Sequence, residues 1–336
     1  MTLEQRISAF IQLGKQLASL QEDTLKDLCL RAINENNWFT EINVRQAIAA
    51  WTNSLSEEKI HQWVAAFEFD TNQPKKIGLI LAGNIPLVGL HDLLSVLISG
   101  HIAAIKLSSQ DSVLIRFVIN QLKSIESQFE YQIQIVEQLK EAEAVIATGS
   151  DNTARYFKHY FGQKPHIIRQ NRTSIAILKG NEHDQELKAL GRDIFTYYGL
   201  GCRNVSKIFV PKGFDLRQLI DGLMSYENTI DHHKYRNNYD YNKSIYLVNG
   251  EPHLDSGFFL MRETEDLISP ISVLYFEYFD SEAQLALKLS TINDKIQCMV
   301  SKDSWYPNSL ALGAAQQPEL WDYADSVDTL EFLKSV

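Results

Sequence analysis

The sequence predicts an α/β protein: a doubly wound parallel sheet, a smaller second α/β domain, and a helical segment at the N-terminus. Three observations carry this expectation. From Lys75 onward, apolar runs of strand length alternate with helix-length periodic segments, the rhythm of a parallel sheet buried on both faces. After Tyr198 the rhythm restarts, and before Lys75 apolar positions recur only at helical spacing. The predicted organisation is a helical segment over 1–70, a nucleotide-binding α/β domain over 71–197, a catalytic α/β domain over 198–302, and a tail over 303–336 that packs back on one of the domains.

Taken in order, Ile7, Phe10, Ile11 and Leu13 mark an amphipathic helix, and Ser56-Glu57-Glu58 opens another toward Trp63. Residues 77–82 form a strand closed by Gly83-Asn84-Ile85-Pro86, and 87–99 a helix stopped by Gly100. A second strand follows at 102–107, a helix at 112–129, strands at 132–136 and 144–148, a helix at 152–161, a strand at 174–178 and a helix at 185–197. In the second half, strands are expected at 207–210, 244–248, 272–276 and 297–300, with helices at 216–226 and 281–289. The polar, Asn- and Tyr-rich run from Glu227 to Lys243 reads as a long loop.

Composition excludes several classes. The 336 residues are 45% hydrophobic and 22% charged, which is ordinary for a globular chain and excludes disorder. A net charge of −10 argues against a phosphate-tracking nucleic-acid binder. Cys29, Cys202 and Cys298 are too few and too far apart for a disulfide framework; they suit a reducing cytoplasm, and the first twenty residues do not read as a secretory signal. Residues 77–107 are apolar over a membrane-spanning length, but Asn84, Pro86, His91, Asp92 and His101 interrupt them, so no membrane span is expected. Adjacent His232 and His233 lack ligand spacing, and no metal is expected.

Several residues carry candidate chemistry. Cys202 lies in Tyr198-Gly199-Leu200-Gly201-Cys202-Arg203-Asn204, where glycines expose the thiol and Arg203 and backbone N–H groups favour the thiolate; a small core cysteine is the alternative. Asn84 ends the first strand of the sheet, facing the crevice where such folds bind ligands, and its amide suits a developing oxyanion; a simple turn is the alternative. Thr148-Gly149-Ser150 precedes a helix whose N-terminus suits a pyrophosphate, although Asp151 beside it repels phosphate unless it turns away, and Lys106 at a strand end suits a ribose or phosphate, a solvated charge being the alternative.

In this order the pieces resemble the aldehyde dehydrogenase superfamily, and within it the long-chain acyl-CoA reductase branch, the fatty acid reductase of LuxC type. Ala82-Gly83-Asn84-Ile85-Pro86 resembles the superfamily's Trp-Asn-Phe-Pro loop, which places Asn84 at the oxyanion-binding Asn. Lys106 falls at the lysine that contacts the adenosine ribose, and Gly149 with Ser150 at the Thr-Gly-Ser turn of the pyrophosphate helix. Gly199-Leu200-Gly201-Cys202 resembles the nucleophile segment, with the usual Gly-Gln altered. Asp266-Leu267-Ile268-Ser269-Pro270 resembles Glu-Ile-Phe-Gly-Pro, whose acid binds the nicotinamide ribose. The resemblance covers residues 75–302.

Two departures shape the functional expectation. Where hydrolytic members place a water-activating Glu, this chain has Arg169, which cannot act as a base. Where NAD-preferring members place a Glu three residues after the lysine, it has Ser109, which leaves room for a 2′-phosphate. The resemblance therefore implies reduction of a fatty acyl-CoA, or another acyl thioester, to the aldehyde through an acyl-Cys202 intermediate, with NADPH or else NADH as cofactor. The competing readings are an acyl phosphate reductase of the same superfamily and a non-reductive acyl carrier or partner-binding protein. A homo-oligomer or an acyl-donor protein is compatible with the resemblance.

Overall fold

The computed structural model describes residues 1–69, 73–149 and 151–336, without the side chains of residues 151 and 152. The chain divides into two compact units, one of residues 1–171 and 319–336, the other of residues 172–318.

The first unit opens with four helices: α1 (Leu3–Ala18), α2 (Glu22–Glu35), α3 (Glu41–Ser54) and α4 (Glu57–Val64). Thr2 starts α1 with a capping box to Gln5, and Ile7, Phe10, Leu13 and Leu17 form its buried stripe. The sheet elements follow as β1 (Lys76–Ile80), α5 (Leu90–Ile98), β2 (Ile102–Lys106), α6 (Ser112–Ile125), the single turn α7 (Phe129–Gln132), β3 (Ile133–Ile135), β4 (Ala144–Thr148), α8 (Asp151–Phe161) and β5 (His166–Arg169). The five strands lie in the order β3-β2-β1-β4-β5, all parallel, so the chain reverses direction between β1 and β4. That switch point opens the crevice in which doubly wound sheets bind ligands.

The second unit contains β6 (Thr173–Ile177), α9 (Asp184–Phe195), β7 (Val205–Pro211), α10 (Leu216–Leu223), α11 (His233–Asn249), β8 (Leu254–Asp255), β9 (Leu260–Glu263), β10 (Val273–Phe279), α12 (Glu282–Ile292), β11 (Ile296–Ser301) and β12 (Ser309–Ala311). Its seven strands run in the order β12-β11-β6-β7-β10-β9-β8, with only the β8–β9 pair antiparallel. The last helix, α13 (Thr329–Ser335), belongs to the first unit.

The structure corrects four expectations. The boundary expected at 197/198 falls at 171/172, because β6 pairs with β7 and β11 rather than extending the first sheet. The tail expected over 303–336 is shared: β12 pairs with β11 in the second unit, and α13 packs in the first. The strand expected at 244–248 and the loop before it are instead the long helix α11, preceded by a 3₁₀ segment over Met224–Asp231. Its buried face is Tyr235, Tyr239, Asn242 and Tyr246, a helical spacing carried by tyrosines and an asparagine that a purely aliphatic pattern overlooks. Finally, α5 begins at Leu90, since Leu87 takes a left-handed φ of 59° that no helix accommodates.

Three of the polar residues within the apolar stretch 77–107, His91, Asp92 and His101, have internal roles. His101 Nδ1 accepts the Lys75 N–H at 3.1 Å, which leaves Nε2 as the donor to the Leu333 carbonyl at 2.9 Å, and burial lowers its pKa. His91 Nε2 meets the Leu320 carbonyl at 2.8 Å. Asp92 receives Arg169 Nη1 on both carboxylate oxygens at 2.6 Å, and Arg169 Nη2 donates to Thr329 Oγ1 at 3.0 Å, so one buried guanidinium joins β5, α5 and α13. Among the described residues, no helix is long and apolar enough to cross a membrane.

Because both partners of the Asp92–Arg169 pair are buried, removing one strands the other charge in a low dielectric. Asp92→Ala is expected to lower unfolding free energy by about 3–5 kcal/mol, read from urea denaturation. A loss below about 1 kcal/mol, the range of an exposed pair, would contradict this account.

Candidate active site

In the first unit the residues singled out by sequence sit at the carboxyl ends of adjacent strands. The Gly83-Asn84 turn follows β1, Lys106 ends β2 with Ser109 just beyond, and Gly149 follows β4, so β1 and β4 present theirs on either side of the switch point. Lys106 and Ser109 are exposed, and Asn84 and Gly149 are half-buried. Ser150 lies outside the described residues.

The turn after β1 is irregular backbone held by two buried polar side chains, one at the end of α2 and one at the start of α6. Asn36 Nδ2 donates to the Gly83 carbonyl at 3.2 Å, and Asp111 Oδ2 accepts the Leu87 N–H at 2.7 Å. Gly83 is required by crowding: a Cβ there would stand 2.5 Å from Ser108 Oγ and 3.0 Å from the Asp111 nitrogen. Asp111 precedes α6 as an N-cap residue would, yet its carboxylate turns back to Leu87, and α6 is capped instead by Glu35, which accepts from the Ser112 hydroxyl and from the Val113 N–H at 2.9 Å. Gly149 also answers to crowding, since a Cβ would meet Thr153 and Phe157 side chains at 3.0 Å.

In the second unit Cys202 is the exposed cysteine, whereas Cys29 is buried in α2 and Cys298 is half-buried on β11. The turn that carries Cys202 connects α9 to β7. It begins with three successive left-handed residues, Tyr197 at φ 53°, Tyr198 at 59° and Gly199 at 79°. Each such non-glycine costs about 1–3 kcal/mol and persists only where surrounding contacts over-determine it. Those contacts are present. Ser174 Oγ, fully buried, donates to the Cys202 carbonyl at 3.0 Å and accepts the Cys298 N–H at 3.2 Å. Arg203, expected beside the thiol as a cation, commits its Nε to the Ala315 carbonyl at 2.6 Å. Buried Asp193 accepts the N–H groups of Gly313 and Ala315 at 2.6 and 2.9 Å, and burial raises its pKa to about 6.

Asp266 is exposed and follows β9. Its segment is tied to the Cys202 strand, because Ser206 Oγ donates to the Leu267 carbonyl at 2.9 Å and fully buried Lys207 donates to the Thr264 carbonyl at 2.9 Å and to Glu277 at 2.6 Å. Between the two segments lies a cavity of about 30 Å3, lined by Tyr198, Gly199 and Asn204 on one side and Pro270 and Ile271 on the other. Sequence reasoning singled out Cys202 but missed Ser174, Asp193 and the roles of Asn204 and Asp111. The available signal was a polar residue where a core strand begins or a helix end is expected. Among the described residues, no cluster of three or more His, Cys, Asp or Glu could hold a metal ion.

Burial raises the Asp111 pKa from 3.8 to about 8, with the nearby Glu35 charge adding to the rise and the Leu87 N–H opposing it. The folded value lies above the unfolded one, so the folded chain retains a proton that the unfolded chain has released. Stability is therefore full below about pH 4 and declines as pH rises toward about 8. In Asp111→Asn this contribution vanishes, and the variant's stability relative to wild type is expected to climb across that window in urea titrations. A pH-independent difference would refute the assignment.

Comparisons with known proteins give the same architecture. Among solved structures, aldehyde dehydrogenase 21 from Physcomitrella patens, in complex with succinate, superposes with a TM-score of 0.72 at 11% identity, over 100% of this chain and 84% of that one. A Mycobacterium tuberculosis aldehyde dehydrogenase complexed with NAD+ gives 0.66 at 14%, over 100% and 84%. An NAD+ complex of a Bacillus cereus aldehyde dehydrogenase gives 0.61 at 13%, over 90% and 72%. At these identities the likeness shows the fold. No curated protein matches the chain in sequence. The family model described as acyl-CoA reductase (LuxC) matches residues 58–225, half of the chain. The chain belongs to the LuxC acyl-CoA reductase family.

Proposed function

We propose that the protein reduces a fatty acyl-CoA to the fatty aldehyde through an acyl-cysteine at Cys202, with NADPH accepted and NADH as the other candidate. Family and fold support an oxidoreductase acting on acyl or aldehyde groups. The observation that carries the finer reading is the exposed Cys202 on a turn fixed by Ser174.

In this reading the Cys202 thiolate attacks the thioester carbonyl, the carbon–sulfur bond to coenzyme A breaks, and the departing thiolate takes a proton from solvent. The Asn84 amide and the Cys202 N–H are assigned to the developing oxyanion. Reduced nicotinamide, when bound, supplies hydride to the acyl carbon; the Cys202 sulfur is then expelled as aldehyde forms. Neighbours of the same fold hold NAD+, which supports a nicotinamide nucleotide. The close-packed Gly149 and the exposed Lys106 and Ser109 on one sheet edge fit such a group, with Lys106 and Ser109 assigned to the ribose or its 2′-phosphate and Asp266 to the nicotinamide ribose. Arg169, locked in its ion pair with Asp92, leaves no base at that place to activate water, which favours acyl exchange over hydrolysis.

Consumption of NADPH over a ladder of acyl-CoA chain lengths tests this directly. Cys202→Ala is expected to abolish turnover, and Asn84→Ala to slow it by about 10²–10³-fold, the usual effect of one oxyanion donor. Reductase activity retained in Cys202→Ala would overturn the mechanism. Ser109→Glu places a carboxylate against the 2′-phosphate and is expected to shift kcat/KM toward NADH by at least about tenfold, the effect of one unfavourable charge contact. An unchanged ratio would remove Ser109 from the cofactor assignment.

A further inference from the structure

We infer that Asn204 is the positioning residue of the Cys202 nucleophile, a single buried side chain that fixes the turn from both ends. The inference rests on the reading of Cys202 as the nucleophile. Helix α9 ends with carbonyls that have no partner within the helix, as every helix does. The two hydrogens of Asn204 Nδ2 serve three carbonyls at that end, one of them shared: those of Asp193 and Ile194 at 3.1 Å each and of Thr196 at 2.8 Å. Its Oδ1 accepts the N–H of Gly201, the residue before Cys202, at 2.8 Å, and its backbone N–H donates to the Gly201 carbonyl at 3.0 Å. Asn204 is 3% exposed. Three carbonyls around one atom and an N–H at the other leave one chemically consistent orientation of the amide.

The consequence is specific to the thiol. The chain must leave α9 through Tyr197, Tyr198 and Gly199, all left-handed, and re-enter sheet geometry at β7. With helix end and turn bonded to the same amide, Gly201 and Cys202 keep one backbone conformation while the Cys202 side chain stays in solvent. In this proposal the amide holds the backbone of the turn, and with it the local field at the thiol, in place without touching substrate. Neither Asp nor Ala does this: Asp has the shape but no donor for the carbonyls, and Ala has neither donor nor acceptor.

Two measurements test this, neither of which requires substrate turnover. In the wild-type chain the Gly201 amide is expected to exchange slowly with deuterium although it lies in an exposed turn; rapid exchange would overturn the inference without any variant. In Asn204→Ala and Asn204→Asp, Cys202 alkylation by iodoacetamide is followed against pH beside a thermal melt. The expected result is a midpoint that rises toward that of an unperturbed thiol, about 8.5, with acylation by acyl-CoA slowed by about 100-fold, the cost of a misplaced reacting group. A folded variant that melts earlier but keeps the wild-type midpoint would show a merely structural residue and defeat the inference. Wild-type protein that alkylates at Cys202 but is never acylated would instead end the reductase reading and leave the role of Asn204 standing.

Discussion

The carbonyls at the end of α9 set the terms for the second unit. A helix cannot satisfy its last carbonyls itself, and leaving them buried without partners costs about 1–3 kcal/mol each. In this chain the donor is not a following glycine cap but the Asn204 amide, which lies across the turn. That choice makes the helix end and the nucleophile turn one hydrogen-bonded body. It also lets the turn contain two left-handed tyrosines, whose strain would otherwise be relieved by unwinding. Asp193 extends the same solution, since its carboxylate holds the backbone at Gly313 and Ala315 while its carbonyl accepts from Asn204.

The first unit meets a similar constraint with different groups. A parallel sheet needs both faces covered, so the turns at its carboxyl edge are packed between helices and must find partners for irregular backbone. Asn36, Asp111 and Glu35 provide them around the Gly83-Asn84 turn and the start of α6. Asp111 does so at the expense of its own ionisation, which is why its pKa is pushed up. In both units a candidate residue stands on a turn whose rigidity comes from buried polar side chains.

The alternating half of the fold was legible because its signals are local. The strands at 76–80, 102–106 and 144–148 are short apolar runs bounded by glycine or polar residues, and the helix between the first two ends at Gly100. The assignment of Thr173–Ile177 to a sheet was not local: its own residues say strand, but only pairing with β7 and β11 decides which one. Ser244–Val248 failed for another reason. Five residues of mixed Ile, Tyr, Leu and Val fit strand or helix alone, and the buried tyrosines that settle the matter begin nine residues earlier, at Tyr235. The turn carrying Cys202 was visible from its glycines, whereas Ser174 and Asp193 reach it from elements whose proximity no sequence pattern records.

The claim at the centre of this account is a covalent acyl group on one thiol. Intact-mass spectrometry of the full chain, mixed with a fatty acyl-CoA in the absence of nucleotide, tests it most directly. The account predicts a mass increase of one acyl group, mapped by peptide digestion to Cys202 and discharged as aldehyde when NADPH is added. An unmodified protein, or an acyl group mapped to Cys29 or Cys298, would contradict it.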